Sequence, residues 1–249
     1  MEKPPSSIQV IDRASRLLDV LAAYDDPVSL KILSAETALH PSTAFRILAS
    51  LTAVGMIERD VAGRYALGRK LLKLAGRVRR GIDIRQEAMS VMAELRDAIG
   101  ETVNLTVREG DEVIYIERVA PKRMMRVEQV IGSRAPLHVT AVGKLMLAEL
   151  GEPFIRAYAE RSTLPAYTSH TITAIDRLIE VVQRANNDGY AFDNEEAEEG
   201  VGCIGVLIHD NAGSIVAGLS ISAPIERRQD AWITLVKEAG KRISERLGY

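Results

Sequence analysis

Cysteine occurs once in the 249 residues, at Cys203, so the chain cannot close an internal disulfide. Histidine is also sparse, and His40, His138, His170 and His209 show none of the close Cys/His spacing that a zinc site needs. No apolar run approaches the roughly 18 to 20 residues of a membrane-spanning helix, and the opening MEKPPSSIQV lacks the basic and apolar regions of a signal peptide. The expectation is a cytoplasmic protein with no membrane partner, no structural metal and no cofactor. Aromatics are few, at 4%, but 47% hydrophobic and 27% charged residues make an ordinary globular composition that excludes a disordered or fibrous chain.

Net charge, at −2, is small because two unlike regions cancel. Residues 1–82 hold 13 Lys/Arg against 8 Asp/Glu, and the remainder holds 19 against 26. A basic first part beside an acidic second part points to a polyanion as partner for the first alone.

Residues 10–21 place Val10, Ile11, Ala14, Leu17, Leu18 and Leu21 on one stripe of a helix, which Asp25-Asp26-Pro27 ends. Ser29 is suited to cap a second helix over 30–37, and Pro41 suits the first turn of a third that runs to about residue 54. In the third helix Ala44, Ile47, Leu48 and Leu51 form the inner side, while Ser42, Thr43, Arg46 and Ser50 share the outer one. Residues 56–67 then read as two short strands around a turn at Ala62-Gly63, with Arg59, Arg64 and Tyr65 on or beside it. Three helices and a hairpin make a winged helix-turn-helix. Its outer face would enter the major groove of double-stranded DNA, where Arg reads guanine and hydroxyls reach bases or phosphates, while the wing clasps the backbone. The plain alternative is a three-helix bundle with a hairpin and no DNA.

Residues 68–82 carry six basic residues and no acid, with Leu67, Leu71, Leu74 and Val78 as an apolar edge. They read as a linker helix that packs either on a partner chain or on its own domain. Beyond it the pattern becomes mixed: a helix over 84–99, a hairpin of 102–108 and 112–120, a strand over 124–131, and helices over 142–150, 152–160 and 174–187. Thr173 and Asp176 have capping-box spacing for the last of these. Strands over 190–193, 202–209 and 214–222 precede a closing helix over 226–247.

The motifs IDRASRLLDVL, HPSTAFRILASL, RYALGRKLLKLA, APLHVTAVGKLMLAEL, GYAFDNEEAEEGVGCIGVLI and IVAGLSISAP stand in this order along the chain. Together they resemble the IclR family of bacterial transcription regulators over nearly the whole length. His40 and Gly205 depart from the family's pattern, which has a small or basic residue and commonly alanine at these places. The resemblance implies an α/β (α+β) architecture: a winged helix-turn-helix over 1–67, a linker helix over 68–82, and a GAF-like antiparallel-sheet effector domain over 83–249. It implies a homodimer or homotetramer on a pseudo-palindromic operator, responding to a small-molecule effector such as an organic or aromatic acid. The matching effector positions are Met124, Thr140, Ala141, Val142, Asp193, Cys203, Ser220 and Ser222.

The chemistry of these positions is coherent. Ser220 and Ser222 alternate on one strand and so present both hydroxyls to one face. Hydroxyls, a thiol and backbone N–H groups near Thr140 can hold a carboxylate, with Arg123 and Arg126 as cations at the edge; Asp193 then has to be protonated, bridged or bonded to a ligand hydroxyl. Competing readings make Cys203 inert core, Met124 and Met125 gap fillers, His138 structural, and the run Glu195, Glu196, Glu198, Glu199 a solvated loop. Two other functions compete with a DNA-binding regulator: a sensor module acting through protein partners, and a hydrolase using Cys203 as nucleophile.

Overall fold

The computed structural model describes residues 8–78 and 83–249, apart from the side chains of 75–78, and the chain forms two compact units, Met1–Gly81 and Ile82–Tyr249. In the first, α1 (Gln9–Ala22), α2 (Leu30–Thr37) and α3 (Pro41–Ala53) precede a two-stranded sheet of β1 (Ile57–Arg59) and β2 (Tyr65–Leu67). Ser29 caps α2 by accepting from the Ile32 N–H at 3.4 Å, and Pro41 opens α3, where its missing N–H leaves no bond unmade. His40, one of the two departures from the family pattern, is the N-cap of α3 and accepts from the Ser42 N–H through Nδ1.

Leu17, Leu21, Leu33, Ala44, Leu48, Ile57 and Tyr65 close the core of this unit. The apolar stripe of α1 is buried only in its second half: Leu17 and Leu21 are inside, whereas Val10 and Ile11 are exposed. Tyr65 is 2% exposed and takes part in an isolated bridge with Val28, so β2 is pinned to the start of α2 and not only to β1. Helix α4 (Lys70–Val78) follows, with Leu72 and Leu74 exposed and Leu71 half-buried. The expected linker helix begins two residues late, and its end, 79–82, lies outside the described residues.

The second unit is a six-stranded antiparallel sheet in the order β5-β4-β3-β8-β7-β6: β3 (Thr102–Glu109), β4 (Glu112–Val119), β5 (Arg134–Pro136), β6 (Ala191–Asn194), β7 (Val201–His209) and β8 (Ile215–Pro224). Helices α5 (Ile84–Ile99) and α9 (Trp232–Arg246) cover one face. Helices α6 (Ala141–Leu150), α7 (Glu152–Ser162) and α8 (Ile175–Asp188) form the layer on the other. Alternation sorts the strands between these layers. Val103, Leu105, Ile204, Val206, Leu219 and Ile221 pack toward α5 and α9, as a period of two demands. The residues between them, Thr102, Asn104, Thr106, Cys203, Ser220 and Ser222, are buried and polar, and they belong to the opposite face.

That polar face is where α6 begins. Gly205 and Gly218 let the helix approach: a Cβ at Gly205 would stand 2.9 Å from the Val142 nitrogen, and one at Gly218 2.7 Å from Val142 Cβ. The glycine at 205 thus has a steric reason, since α6 lies against the strand there.

Three expectations are corrected. Residues 124–131 form an irregular loop and no strand, because β5 occupies the outer edge of β4 and the loop is held by its backbone instead: Thr102 Oγ1 donates to the Val127 carbonyl at 2.6 Å and Arg227 to that of Met125 at 3.0 Å. Ala174, with no side-chain cap, is the N-cap of α8, so the Thr173–Asp176 capping box does not form. The closing helix starts at Trp232, not near 226; Arg228 takes an extended conformation (φ −63°, ψ 133°) and lays its guanidinium 4.5 Å from the centre of the Phe192 ring, which interrupts any helix from 226.

Candidate functional site

Two sites emerge, one in each unit. On α3, Ser42, Arg46 and Ser50 are exposed and Thr43 half-buried, all on the side turned from the core. Ser50 donates to the Arg46 carbonyl at 3.0 Å and Ser42 shares a 2.8 Å contact with His40 Nδ1, whereas the Arg46 guanidinium has no ion-pair partner among the described residues. A free guanidinium flanked by short hydroxyl side chains is a surface that a base edge or a phosphate can meet without displacing a competing partner.

The wing is less open than its charge suggests. Arg64 bonds Asp60 at 2.8 Å, and the Arg64 N–H first, then its guanidinium, holds the Asp60 carboxyl below its usual range. Arg59 donates to the Gly63 carbonyl at 3.3 Å and lies 5.4 Å from the Tyr65 ring centre. Tyr65 itself is core. Its ring supports the wing from within, which corrects its expected place among DNA-contacting residues; in the alternating strand β2 its side chain takes the inward position.

In the second unit the antiparallel register sets Cys203 opposite Ser222 and Asp193, and Gly205 opposite Ser220. Ser222 is shared: its hydroxyl lies 3.2 Å from Cys203 Sγ and accepts from Asn104 Nδ2 at 3.1 Å. Above this patch Thr140 caps α6, its Oγ1 accepting from the Gly143 N–H at 3.1 Å. The N–H groups of Ala141 and Val142 fall in the first turn, where the helix offers them no acceptor and its dipole favours an anion. Thr140, Ala141, Val142, Asp193, Cys203, Ser220 and Ser222 therefore converge from four segments on one buried patch.

Met124 does not join them. It is 99% exposed, out on the loop that replaces the expected strand. Arg123 and Arg126 are not free cations at the edge either: Arg123 pairs with buried Glu101 at 2.6 Å and Arg126 with Glu128 at 2.8 Å.

Burial governs the electrostatics. It pushes the Asp193 carboxyl up to about 6, against the pull of nearby Lys144 and of the Glu196 N–H that Asp193 Oδ1 accepts at 2.8 Å. It also raises the Cys203 thiol well above its ordinary value, with Asp193 adding to the shift, so the sulfur is held as a neutral thiol and is a poor nucleophile. Tyr115, on the neighbouring strand β4, is raised by burial and by the proximity of Cys203 and Asp193.

The acidic run after β6 is not a solvated loop throughout. Glu196 is 4% exposed and pairs through Oε1 with Lys144 Nζ, which is fully buried on α6. A carboxylate can enter such a place only with a counter-charge, and that partner is 52 positions away in sequence. Asn104, Thr102, Thr106, Tyr115, Lys144 and Glu196 are the site's neighbours that residue patterns had not marked. The alternation Thr102-Val103-Asn104-Leu105-Thr106 did carry a signal, because a strand with one wholly apolar face and three polar side chains on the other has to find those groups buried partners. His138 is structural, its Nδ1 meeting the Tyr158 hydroxyl at 2.7 Å in the interior.

Comparison with known proteins identifies the family. The model for the IclR helix-turn-helix domain matches residues 10–61, and that for the bacterial transcriptional regulator IclR C-terminal domain matches residues 77–245. The chain belongs to the IclR family. Among characterised members of the IclR family, the HTH-type transcriptional regulator XynR of Escherichia coli K12 is 33% identical over 247 residues, covering 97% of this chain and 98% of its own. The crystal structure of the repressor BlcR of Agobacterium tumefaciens, 30% identical, superposes with a TM-score of 0.80 over 98% of both chains. An IclR homologue from Microbacterium hydrocarbonoxydans, crystallised with 4-hydroxybenzoate, is 25% identical with a TM-score of 0.63 and covers 96% of this chain and 99% of its own. The chain is accordingly a DNA-binding transcriptional regulator with a winged helix-turn-helix and a curled antiparallel-sheet effector domain. Among the described residues no helix is long and apolar enough to cross a membrane.

Proposed function

We propose that a small organic acid, bound under the N-terminus of α6, modulates the affinity of this regulator for its operator. The observation that carries the reading is the buried polar patch of Asp193, Cys203, Ser220 and Ser222 beside the start of α6, where the helix itself offers the first-turn amides of Ala141 and Val142 no acceptor. These N–H groups and Thr140 receive the carboxylate, the two serines and the thiol surround the rest of the ligand, and Asp193 in its neutral form bonds a ligand oxygen. In support, a homologue of the same fold was crystallised with a hydroxylated aromatic acid.

Ser42, Thr43, Arg46 and Ser50 enter the major groove and Arg59 and Arg64 contact flanking phosphates. The protein acts in the cytoplasm as a homodimer or homotetramer on a pseudo-palindromic site, with segments 1–67, 68–82 and 83–249 as DNA-binding, linking and sensing parts. The exposed leucines of α4 support pairing with a second copy. Switching requires only that the effector bind one arrangement of the sensing part more tightly than another.

Arg46→Ala should weaken operator binding in fluorescence anisotropy by about 1 to 3 kcal/mol, on the order of 5- to 150-fold, and leave effector affinity in calorimetry intact. Operator binding unchanged by the substitution would remove α3 from the interface.

A pH dependence also follows. Asp193 is largely neutral below about pH 6 and charged above it, and a charged Asp193 repels an anionic ligand. Effector affinity, measured by calorimetry with the strongest responder from a thermal-shift panel of organic acids, should fall between pH 5.5 and 7.5. Asp193→Asn should flatten the profile; an affinity that rises with pH would contradict the assigned role.

A further inference from the structure

Asn104 sits in the middle of β3, fully buried, with Ser220 opposite it on β8 and Arg118 on β4. Its neighbours on the same face are satisfied by backbone: Thr102 Oγ1 donates to the Val127 carbonyl at 2.6 Å and Thr106 Oγ1 to the Gly218 carbonyl at 3.2 Å. Asn104 differs. Nδ2 donates to Ser222 Oγ at 3.1 Å, but Oδ1 is buried and has no hydrogen-bond partner. Rotating the amide by half a turn would exchange the problem for an unmatched NH2 group, so either orientation leaves one polar end without a partner while the other meets Ser222. A buried amide half satisfied is costly, and leucine or valine would serve a purely structural position better.

We propose that Asn104 is a specificity-determining residue that recognises a hydroxyl on the effector, and that the ligand class is therefore a hydroxylated carboxylic acid. A hydroxyl both donates and accepts, so it completes the amide in either orientation. The surroundings fit the same group: the Ser222 hydroxyl is within reach of both Asn104 and Cys203, and Ser220 lies directly across the β3–β8 register. A ligand whose carboxylate meets the Ala141 and Val142 amides turns its remaining oxygens toward β3, β7 and β8. A deoxy analogue leaves the Asn104 amide unmatched in the complex, and discrimination follows from that penalty, since a site built to bond a hydroxyl rejects ligands lacking it far more strongly than an apolar pocket rejects a shape. The inference rests on the effector site proposed above but adds a residue and a chemical class to it.

The test uses the full-length protein and two matched pairs of probes, gluconate against hexanoate and 4-hydroxybenzoate against benzoate, with affinities from calorimetry. The expected result is at least tenfold tighter binding of the hydroxylated member in one pair, which also tells an aliphatic from an aromatic ligand. Asn104→Leu should reduce that preference to about twofold or less while the deoxy acid binds as before. The discrimination by the unaltered protein stands as a readout even where this variant does not fold, and Asn104→Ser then gives a smaller substitution that should also lose the preference. Equal binding of both members of each pair, or a tenfold preference that survives in Asn104→Leu, overturns the inference. If both members bind equally and Ser220→Ala with Ser222→Ala weakens both, the effector site remains and only the role of Asn104 falls. If none of the four acids binds, the acid-binding reading falls and this inference with it.

Discussion

Replacing Lys144 by methionine is expected to destabilise the C-terminal unit by about 3 to 5 kcal/mol at pH 7, because it strands a charge in the interior. For a unit of this size that corresponds to a fall in melting temperature of roughly 6 to 20 °C. Lys144 is fully buried and Glu196 nearly so; one Glu196 oxygen meets the ammonium and the other has no partner. Without the cation, Glu196 stands beside Asp193, whose carboxyl it already pushes upward. The effect should be specific to the unpaired charge. Lys144→Met combined with Glu196→Gln removes both ions and should melt above the single variant, since a buried pair replaced as a pair is far less damaging than one broken in half. A melting temperature for Lys144→Met within about 2 °C of the parent, followed by circular dichroism, would show that the pair is not the anchor of the loop after β6.

Gly143→Ala should be the other severe substitution. Its Cβ would stand 2.3 Å from the Leu137 carbonyl oxygen, 2.4 Å from Thr140 Oγ1 and 2.6 Å from Leu137 Cα. Two of these are main-chain atoms that no rotamer change can move, so α6 itself has to shift. Overpacking of this kind costs up to about 3 kcal/mol, and displacing Thr140 from its cap adds about 1 kcal/mol. At roughly 2 to 4 °C per kcal/mol for a unit of this size, a drop in melting temperature of up to about 16 °C is expected. Function should suffer in a particular way: Thr140, Ala141 and Val142 move with the helix start, so the variant should still bind operator but no longer respond to effector. Parent-like stability and response would place the anion-binding turn elsewhere.

These two residues show how much the sequence discloses. Thr140 and Gly143 stand three positions apart in one motif, and the helix expected from 142 begins at Ala141, one residue earlier, with Thr140 as its cap. The first unit is similarly legible, because local start and stop signals mark its boundaries: Ser29, Pro41 and the glycine turn at Gly63, with φ +79°, fall where local rules place them. The alternation of β7 and β8 likewise told which side chains share a face.

What could not be read depends on contacts between distant segments. Alternation assigns Tyr65 to a face of its strand but cannot say that Val28 pairs with it, and so does not separate a wing residue from a core one. The apolar run containing Met124, Met125, Val130 and Ile131 looks like a strand, yet all four side chains are exposed in a loop tied down through backbone carbonyls. Glu196 looks solvated until Lys144 is placed beside it. The same holds for Asn104, whose importance lies in a partner it lacks, which no spacing reveals.

A sequence-specific DNA-binding regulator that answers to a small acid is tested most directly by a titration of the purified protein against the DNA upstream of its own gene. Fluorescence anisotropy at two salt concentrations, with competitor DNA present, should give saturable binding that weakens steeply as salt rises, because Lys and Arg contacts release counterions from phosphate. Adding the responsive acid should then shift the midpoint. Binding that is indifferent to sequence, or a midpoint that no acid moves, would contradict the account.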